Sequence, residues 1–284
     1  MKVGYYPGCS LEGTAKEYDV ATRRVLEMLG VQLVDIPDWN CCGATPAHLT
    51  HPDLALALPA RILALAEAEG LEEITPPCAA CYNRLALTVH RLRDTEERVR
   101  INEITGLSYS GRMKVTALPR LVLANGADAV GQLVERPLEG LKVASYYGCL
   151  LVRPLEIASD DHEDPESIDI IVKALGAEPV DWPMKTECCG GSHSLGRSDL
   201  VKDLVLRLTE SAVDRGADCF ATACPLCHGN LDMRQDEVQR KLGRKVPVFH
   251  FTQLMGLAFG LGEKELKLGS HLVDPLPLLK QKTL

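Results

Sequence analysis

Residues 2–9 read KVGYYPGC, and residues 142–149 read KVASYYGC. Each stretch places a short run with β propensity directly before a glycine and a cysteine. The second copy lies 140 residues after the first. Similar segments at such a distance indicate an internal duplication, and a repeat of this kind decides how every other element is interpreted.

The remaining cysteines repeat in the same order. Each copy continues with a Cys-Cys-Gly triplet and then with a Cys-x-x-Cys pair; the copies are offset by 147 residues at the triplets and by 146 at the pairs. Ten of the eleven cysteines therefore form two sets of five, and Cys219 is left over. The first set is Cys9, Cys41, Cys42, Cys78 and Cys81, and the second is Cys149, Cys188, Cys189, Cys224 and Cys227.

Strand-like and helix-like segments alternate in both copies, a pattern typical of parallel sheets covered by helices. We predict an α/β fold of two pseudo-symmetric repeats, each with a small, mostly parallel sheet flanked by helices. The first domain is predicted over residues 1–130 and the second over residues 141–284, with a junction at 131–140 that is rich in glycine and proline.

In each repeat the cysteines follow predicted strands one, two and three. Cys9 is expected in a loop at the end of the first strand, and Cys227 near the start of one long helix over residues 225–241. The ends of neighbouring parallel strands lie about 5 Å apart. The five thiols of a repeat are therefore expected to converge at one edge of its sheet.

Composition narrows the class of protein. The net charge of −8 and the pI near 5.5 argue against nucleic-acid binding, which requires a basic surface. The most apolar stretch, residues 251–262, is too short to span a bilayer as a helix. The first residues lack the layout of a secretory signal, so eleven cysteines indicate metal or redox chemistry in the cytoplasm rather than structural disulfides.

Soft thiolate ligands suit either zinc or iron–sulfur clusters. Zinc needs four thiolates, whereas each set offers five, and the adjacent Cys41 and Cys42 cannot easily reach one small tetrahedral ion together. The spacing therefore favours iron–sulfur clusters, with a non-catalytic zinc-binding scaffold as the alternative. The ferredoxin run C-x2-C-x2-C-x3-C is missing.

The duplicated pattern resembles the cysteine-rich CCG domain family. The stretches YYPGCS, NCCGA, PPCAACYN and TACPLCHGNL are similar in particular to the B subunit of heterodisulfide reductase. The resemblance covers nearly the whole chain, and no expected cysteine is missing.

This resemblance implies that each set of five cysteines ligates one non-cubane [4Fe-4S] cluster. It further implies that a disulfide of the coenzyme M–coenzyme B type, or a bacterial equivalent, binds between the two clusters and is cleaved by two electrons. A ferredoxin-like iron–sulfur subunit and a flavin-containing subunit of the same complex would supply the electrons. The same domain pair also occurs in electron-transfer subunits of lactate-, glycolate-, quinone- or fumarate-linked oxidoreductases, which is the alternative function.

Two histidines lie close to the second cysteine set in the sequence. His193 follows Cys189 by four residues, and His228 directly follows Cys227. Either imidazole could donate a proton to a departing thiolate near neutral pH. His48, after the first triplet, is a weaker candidate. Cys219 is interpreted as a buried strand residue rather than a ligand.

Overall fold

The computed structural model of the protein describes residues 1–44 and 47–284, without the side chain of His48. Its eight described strands form two separate sheets of four. The first sheet contains β1 (Lys2–Tyr5), β2 (Gln32–Asp35), β3 (Glu73–Thr75) and β4 (Lys114–Val115). The second contains β5 (Lys142–Tyr146), β6 (Glu178–Pro179), β7 (Cys219–Thr222) and β8 (Val248–His250).

Both sheets have the same topology. The strand order is β2-β1-β3-β4 in the first and β6-β5-β7-β8 in the second, and every pair is parallel. In each sheet the first strand is therefore central and pairs with the two strands that precede the other cysteines. The predicted α/β architecture of two repeats with parallel sheets is confirmed.

Helices connect the strands and cover both sheets. Those up to the junction are α1 (Gly8–Glu12), α2 (Lys16–Met28), α3 (Ala47–Thr50), α4 (Pro52–Ala68), α5 (Ala79–Arg91), α6 (Thr95–Thr105), α7 (Leu118–Val122) and α8 (Ala127–Gly131). Those after it are α9 (Ser167–Ala174), α10 (Ser198–Asp214), α11 (Pro225–Met233), α12 (Asp236–Leu242), α13 (Phe251–Ala258) and α14 (Leu276–Gln281). Short 3-10 turns cover Leu123–Asn125, Leu155–Ile157, Gly191–His193 and Leu268–Ser270.

The long helix predicted over residues 225–241 is wrong, because the structure divides it into α11 and α12. The break lies at Arg234 and Gln235. The buried Gln235 amide bonds both backbone groups of Val246, donating to its carbonyl at 2.6 Å and accepting from its N–H at 2.6 Å. These bonds to the segment before β8 fix Gln235 at the break between the two helices.

The loop predicted around Cys9 is also wrong. Cys9 lies in α1, a single helical turn that follows β1 directly. The N–H groups of Gly13 and Thr14 donate to the carbonyls of Cys9 and Ser10 at 3.1 and 2.9 Å and close this turn. The thiol is thus held by a short helix rather than by an irregular loop.

The predicted junction is hydrogen-bonded to the second repeat. The N–H groups of Glu135 and Arg136 donate to the Ala258 carbonyl at 2.8 and 2.9 Å, and the Leu138 N–H donates to Leu175. Helix α8, just before residue 131, packs on α9. The domain boundaries at 130 and 141 stay a prediction, although the two sheets fall on either side of them.

The two repeats dock through equivalent elements. Helix α1, which carries Cys9, contacts α11, whereas the Leu155–Ile157 turn, which follows Cys149, contacts α5. Helices α5 and α11 carry the Cys-x-x-Cys pairs of the two repeats. Each repeat therefore packs the segment after its first cysteine against the paired cysteines of the other, which brings the two cysteine-bearing edges together.

Candidate functional site

The first set of thiols lies at the carboxyl ends of β1, β2 and β3. Cys42 Sγ lies 3.3 Å from Cys81 Sγ, in a sulfur–sulfur contact that joins the triplet to the Cys-x-x-Cys pair. Cys42, Cys78 and Cys81 are buried, Cys41 is half-buried and Cys9 is exposed. The set is therefore closed on the side of the sheet and open to solvent at Cys9.

The second set repeats this arrangement. Cys189 Sγ lies 3.5 Å from Cys227 Sγ, and the Gly190 N–H donates to Cys188 Sγ at 3.2 Å. Cys189, Cys224 and Cys227 are buried, whereas Cys149 is half-buried and Cys188 is exposed. The predicted convergence of five thiols at one edge thus has the same form in both repeats, with one thiol of each set at the surface.

The two sets meet at Cys78 and Cys224, the first cysteine of each Cys-x-x-Cys pair. The interaction with Cys224 is the largest reason that the pKa of Cys78 is raised well above its usual value. The pKa of Cys224 is lowered instead, first by a hydrogen bond with Cys227 and next by the one with Cys78. The first cysteines of the two pairs therefore lie close enough to influence each other's ionisation across the two repeats.

The thiols share their protons unequally. Interactions with the thiols of Cys41 and Cys81 lower the pKa of Cys42 to about 3, and an interaction with Cys149 lowers that of Cys188 to about 6. The partner thiols shift the other way, so that the pKa of Cys41 is raised, first by its interaction with Cys42. Each set therefore carries thiolate at neutral pH, the form that binds metal ions.

Two glycines make room for these sulfurs. Gly8 and Gly148 adopt φ of +65° and +63°, and a Cβ on either would lie 3.1 Å from a thiol, that of Cys81 or of Cys227. The left-handed backbone and the close sulfur both favour glycine. Ten clustered thiols with backbone cradles on each side are the donor set that an iron–sulfur cluster requires, so the residues present fit such a group.

Sequence reasoning missed the tyrosines within each set. The Tyr6 hydroxyl donates to the Asn40 carbonyl at 2.8 Å, and the Tyr146 hydroxyl donates to Glu187 at 2.7 Å. Burial, followed by the charges of Cys81 and Cys42, raises the pKa of Tyr6. The pKa of Tyr146 is raised by burial and next by the charge of Cys227. The signal was available, because the repeated octapeptides both place a tyrosine three residues before the cysteine.

The predicted proton donors occupy different environments. His193 is exposed at the end of the Gly191–His193 turn. Its charge is a smaller cause of the lowered pKa of Cys188 than the interactions with Cys149 and with the backbone. His228 is 6% exposed, and its Nε2 lies 3.0 Å from the Val248 carbonyl. Burial holds the pKa of His228 well below its usual value, so this ring is neutral at neutral pH. The His48 side chain lies outside the described residues.

His228 belongs to a buried cluster between the repeats. The His250 ring stacks on Tyr18 at 3.9 Å and on His228 at 4.1 Å between centroids, and His271 Nδ1 lies 3.2 Å from His228 Nε2. Glu17, His228 and His250 bring three potential ligand atoms within 4.8 Å of one another. A metal ion bound by imidazole lies in the plane of the ring, and the two stacked rings are inclined by only 15°. This arrangement suits packing better than shared coordination.

Cys219 lies in β7, is fully buried and makes no sulfur contact with either set within the described part of the chain. Burial is the largest cause of its raised pKa. Among residues 1–44 and 47–284, no helix combines the length and the apolar composition needed to cross a membrane.

Comparison with known proteins agrees with this geometry. The chain matches the cysteine-rich domain family named CCG twice, over residues 3–86 and 143–232. It is 35% identical over 280 residues to the 8-methylmenaquinol:fumarate reductase membrane anchor subunit of Wolinella succinogenes, covering 96% of this chain and 98% of that one. It is also 31% identical over 290 residues to the B subunit of the ferredoxin/F(420)H(2)-dependent CoB-CoM heterodisulfide reductase of Methanosarcina acetivorans, covering 98% and 96%.

A solved structure of a hypothetical protein from Helicobacter pylori has the same fold, with a TM-score of 0.74 at 14% identity. The match covers 96% of this chain and 52% of that one, so this chain spans about half the length of that protein. The family resemblance predicted from the cysteine pattern is confirmed: the chain belongs to the CCG cysteine-rich domain family and carries the domain twice.

Proposed function

We propose that the protein is the iron–sulfur subunit of a heterodisulfide reductase-like complex and reduces a disulfide to two thiols. The disulfide is of the coenzyme M–coenzyme B type or a bacterial equivalent. The reaction consumes two electrons and two protons: the S–S bond breaks, both sulfurs are reduced, and each takes up one proton. Three of the relatives that match nearly the whole chain are named as B subunits of CoB-CoM heterodisulfide reductases.

The docking of each repeat's first-cysteine segment on the helix that carries the other repeat's Cys-x-x-Cys pair is the observation that carries this proposal. It makes the two sulfur assemblies neighbours, which is the arrangement needed for one substrate to reach both. The proposed cofactors are two non-cubane [4Fe-4S] clusters, one held by each set of five cysteines. Such clusters supply one-electron steps and, at an iron with an open position, a site for a sulfur ligand.

The exposed thiols indicate where a substrate would enter. Cys9 and Cys188 are the surface members of their sets, whereas Cys42 and Cys189 are buried beneath them. A disulfide would approach from the side of Cys9 and Cys188, and the buried members would anchor each cluster to its sheet. Water is excluded from the centre of each sheet, where β1, β5 and β7 are largely buried.

His193 is the better of the two proton donors for a departing thiolate. Its ring is exposed, so it can exchange protons with solvent, and its charge acts on Cys188 at the open side of the second set. His228 is neutral and buried, and its Nε2 is engaged by the Val248 carbonyl. Proton delivery is therefore proposed to occur at the second site through His193.

The electrons are proposed to come from a ferredoxin-like iron–sulfur subunit, which is supplied by a flavin-containing subunit of the same complex. The octapeptides, triplets and cysteine pairs account for the sulfur chemistry, and the ferredoxin cysteine run is not among them. We place the complex in the cytoplasm, where cysteine thiols stay reduced.

A second candidate function is electron transfer in a quinol- and fumarate-linked complex. The relative from Wolinella succinogenes is named as part of such a reductase, and the alignment covers both chains almost completely. In this function the same two clusters relay electrons and bind no disulfide.

The deciding experiment measures iron, zinc and acid-labile sulfide in anaerobically purified protein, together with EPR spectra before and after addition of a thiol to the oxidised protein. Two four-iron clusters correspond to about eight irons per chain. That content, with a new paramagnetic signal on adding thiol, supports disulfide reduction. Iron without a response to thiol favours the relay, and zinc without sulfide leaves only the zinc-binding scaffold.

A further inference from the structure

An arginine lies beside the first sulfur set. Arg84 follows Cys81 by three residues in α5, and side chains at this spacing lie on the same face of a helix. The Cys81 thiol in turn contacts Cys42 at 3.3 Å. Arg84 is half-buried, and its charge acts on Cys42, adding to the interactions with Cys41 and Cys81 that lower the pKa of that thiol.

No carboxylate neutralises Arg84 among residues 1–44 and 47–284. Burial lowers the pKa of the Arg84 guanidinium, whereas the negative charge of Cys42 raises it. A guanidinium withdrawn from water normally has an anionic partner or several hydrogen bonds, because burial of an isolated charge is costly. The sulfur site is thus the counter-charge of this cation.

The second repeat has a neutral side chain at the same place. Asn230 follows Cys227 by three residues, as Arg84 follows Cys81. Its Nδ2 donates to the Cys189 carbonyl at 3.0 Å and lies 3.7 Å from Cys189 Sγ, while its Oδ1 accepts from Ser194 Oγ at 2.8 Å. At this helix position the two sites therefore differ by one fixed positive charge, that of Arg84.

We infer that Arg84 makes the two sulfur sites electrostatically unequal, so that the first is the more easily reduced. This inference rests on the proposed pair of iron–sulfur clusters. Adding an electron increases the negative charge of a site, and a fixed cation in a poorly solvated position stabilises that state. Arg84 is a positioning residue in this scheme, because it sets where an incoming electron settles and is not itself reduced.

The test is a redox titration of the holoprotein that is monitored by EPR. Three proteins are compared: Arg84→Gln, Arg84→Lys and the unaltered protein. Arg84→Gln is expected to lower the reduction potential of the first cluster only. At a fixed potential the ratio of reduced to oxidised cluster should fall about tenfold, which is a shift of about 59 mV for one electron. Arg84→Lys keeps the charge and is expected to restore most of this shift. The first cluster is assigned in a Cys227→Ser background, which removes a ligand of the second.

The matched control is Arg93→Gln, because Arg93 is an exposed cation just beyond the end of α5. Its potentials are expected to equal those of the unaltered protein. The inference is overturned if Arg84→Gln leaves the first potential unchanged, shifts both clusters equally, or shifts the first no more than Arg93→Gln does.

If the Arg84→Gln protein binds no iron, the Arg84→Met protein is titrated instead and judged by the same criteria. Methionine keeps the apolar part of the arginine side chain. Absence of iron and sulfide from the unaltered protein would instead contradict the proposed function, so the two failures are distinguishable.

Discussion

The Tyr6 hydroxyl donates a hydrogen bond to the carbonyl of Asn40, the residue before the first Cys-Cys-Gly triplet. Tyr146 makes the equivalent bond to Glu187 in the second repeat. In both cases a buried ring lies among the thiols and ties the central strand to the loop that carries two of them. The tyrosines thus help to fix the loop that carries two thiols of each set.

Replacing Tyr6 by phenylalanine is expected to destabilise the protein by about 1–2 kcal/mol, because a partly buried carbonyl loses its donor. Tyr146→Phe is expected to behave alike. Chemical unfolding measures the change, and iron content per chain measures whether the loop still assembles a site. The control is Thr88→Val, which removes a buried hydroxyl that has no partner among the described residues. A cost as large for Thr88→Val as for Tyr6→Phe would contradict this role.

Gly8→Ala and Gly148→Ala are each expected to prevent one site from assembling. The left-handed backbone costs about 1–2 kcal/mol for any other residue, and the added Cβ lies 3.1 Å from the Cys81 or Cys227 thiol. Iron and sulfide are expected to fall by about half in either variant. Gly30→Ala has the same kind of backbone, with φ of +71°, but nothing lies within 4 Å of its Cβ. It should lose stability and keep its metal; equal metal loss in all three variants would refute the steric argument.

Cys219→Ala is expected to retain all of its iron, whereas Cys81→Ala loses the iron of one site. Cys219 is fully buried in β7; burial and next the charge of Asp218 raise the pKa of its thiol, and Lys282 opposes them. Cys81 contacts Cys42 and interacts with Cys78. Metal analysis of the two variants under anaerobic conditions provides the comparison. Iron loss on replacing Cys219 would make it a ligand and would disprove its assignment as a strand residue.

The repeat, the sheets and the convergence of thiols could be predicted because they depend on patterns local to each copy. The approach of the two cysteine-bearing edges could not, since it is set by how the two repeats dock, and no local pattern encodes that. The break between α11 and α12 escaped prediction for a similar reason, because Gln235 bonds Val246 eleven residues away. Helix α6 was not predicted either, although it has a local signal: the Asp94 side chain caps it and accepts from the Glu97 N–H at 2.8 Å.

Stability is expected to decline as the pH falls below about 6.5, the ordinary pKa of histidine. Burial, and next the charge of His271, hold the pKa of His250 well below that value in the folded state. The unfolded chain therefore binds protons first, and stability is full above pH 6.5 and is lost as the pH falls towards the folded pKa. The expected slope is about 1.4 kcal/mol per pH unit for each such histidine.

His250→Phe tests this assignment, because a phenyl ring keeps the stacking on Tyr18 and His228 but does not titrate. The groups that face His250 are Tyr18, His228, His271 and Glu17, whose carboxylate lies 3.7 Å from His250 Nε2. The variant is expected to have a shallower decline of unfolding midpoint between pH 6.5 and 5. His162→Gln, in an exposed loop, serves as the control. Parallel curves for His250→Phe and the unaltered protein would exclude His250 as a source of the pH dependence.

Asn83 joins the two repeats next to the first sulfur set. Its Nδ2 donates to the carbonyls of Leu150 and Arg153 at 3.2 and 2.6 Å, in the segment that follows Cys149. Asn83→Ala leaves both carbonyls without this donor, and we expect a loss of about 1–3 kcal/mol together with faster hydrogen exchange over residues 150–158. Asn102→Ala removes two bonds of similar length to Tyr109, but within the first repeat. It should therefore lower stability without accelerating exchange at 150–158. Equal acceleration in both variants would mean that this segment responds to global stability and that Asn83 has no specific part in docking the second repeat on the first.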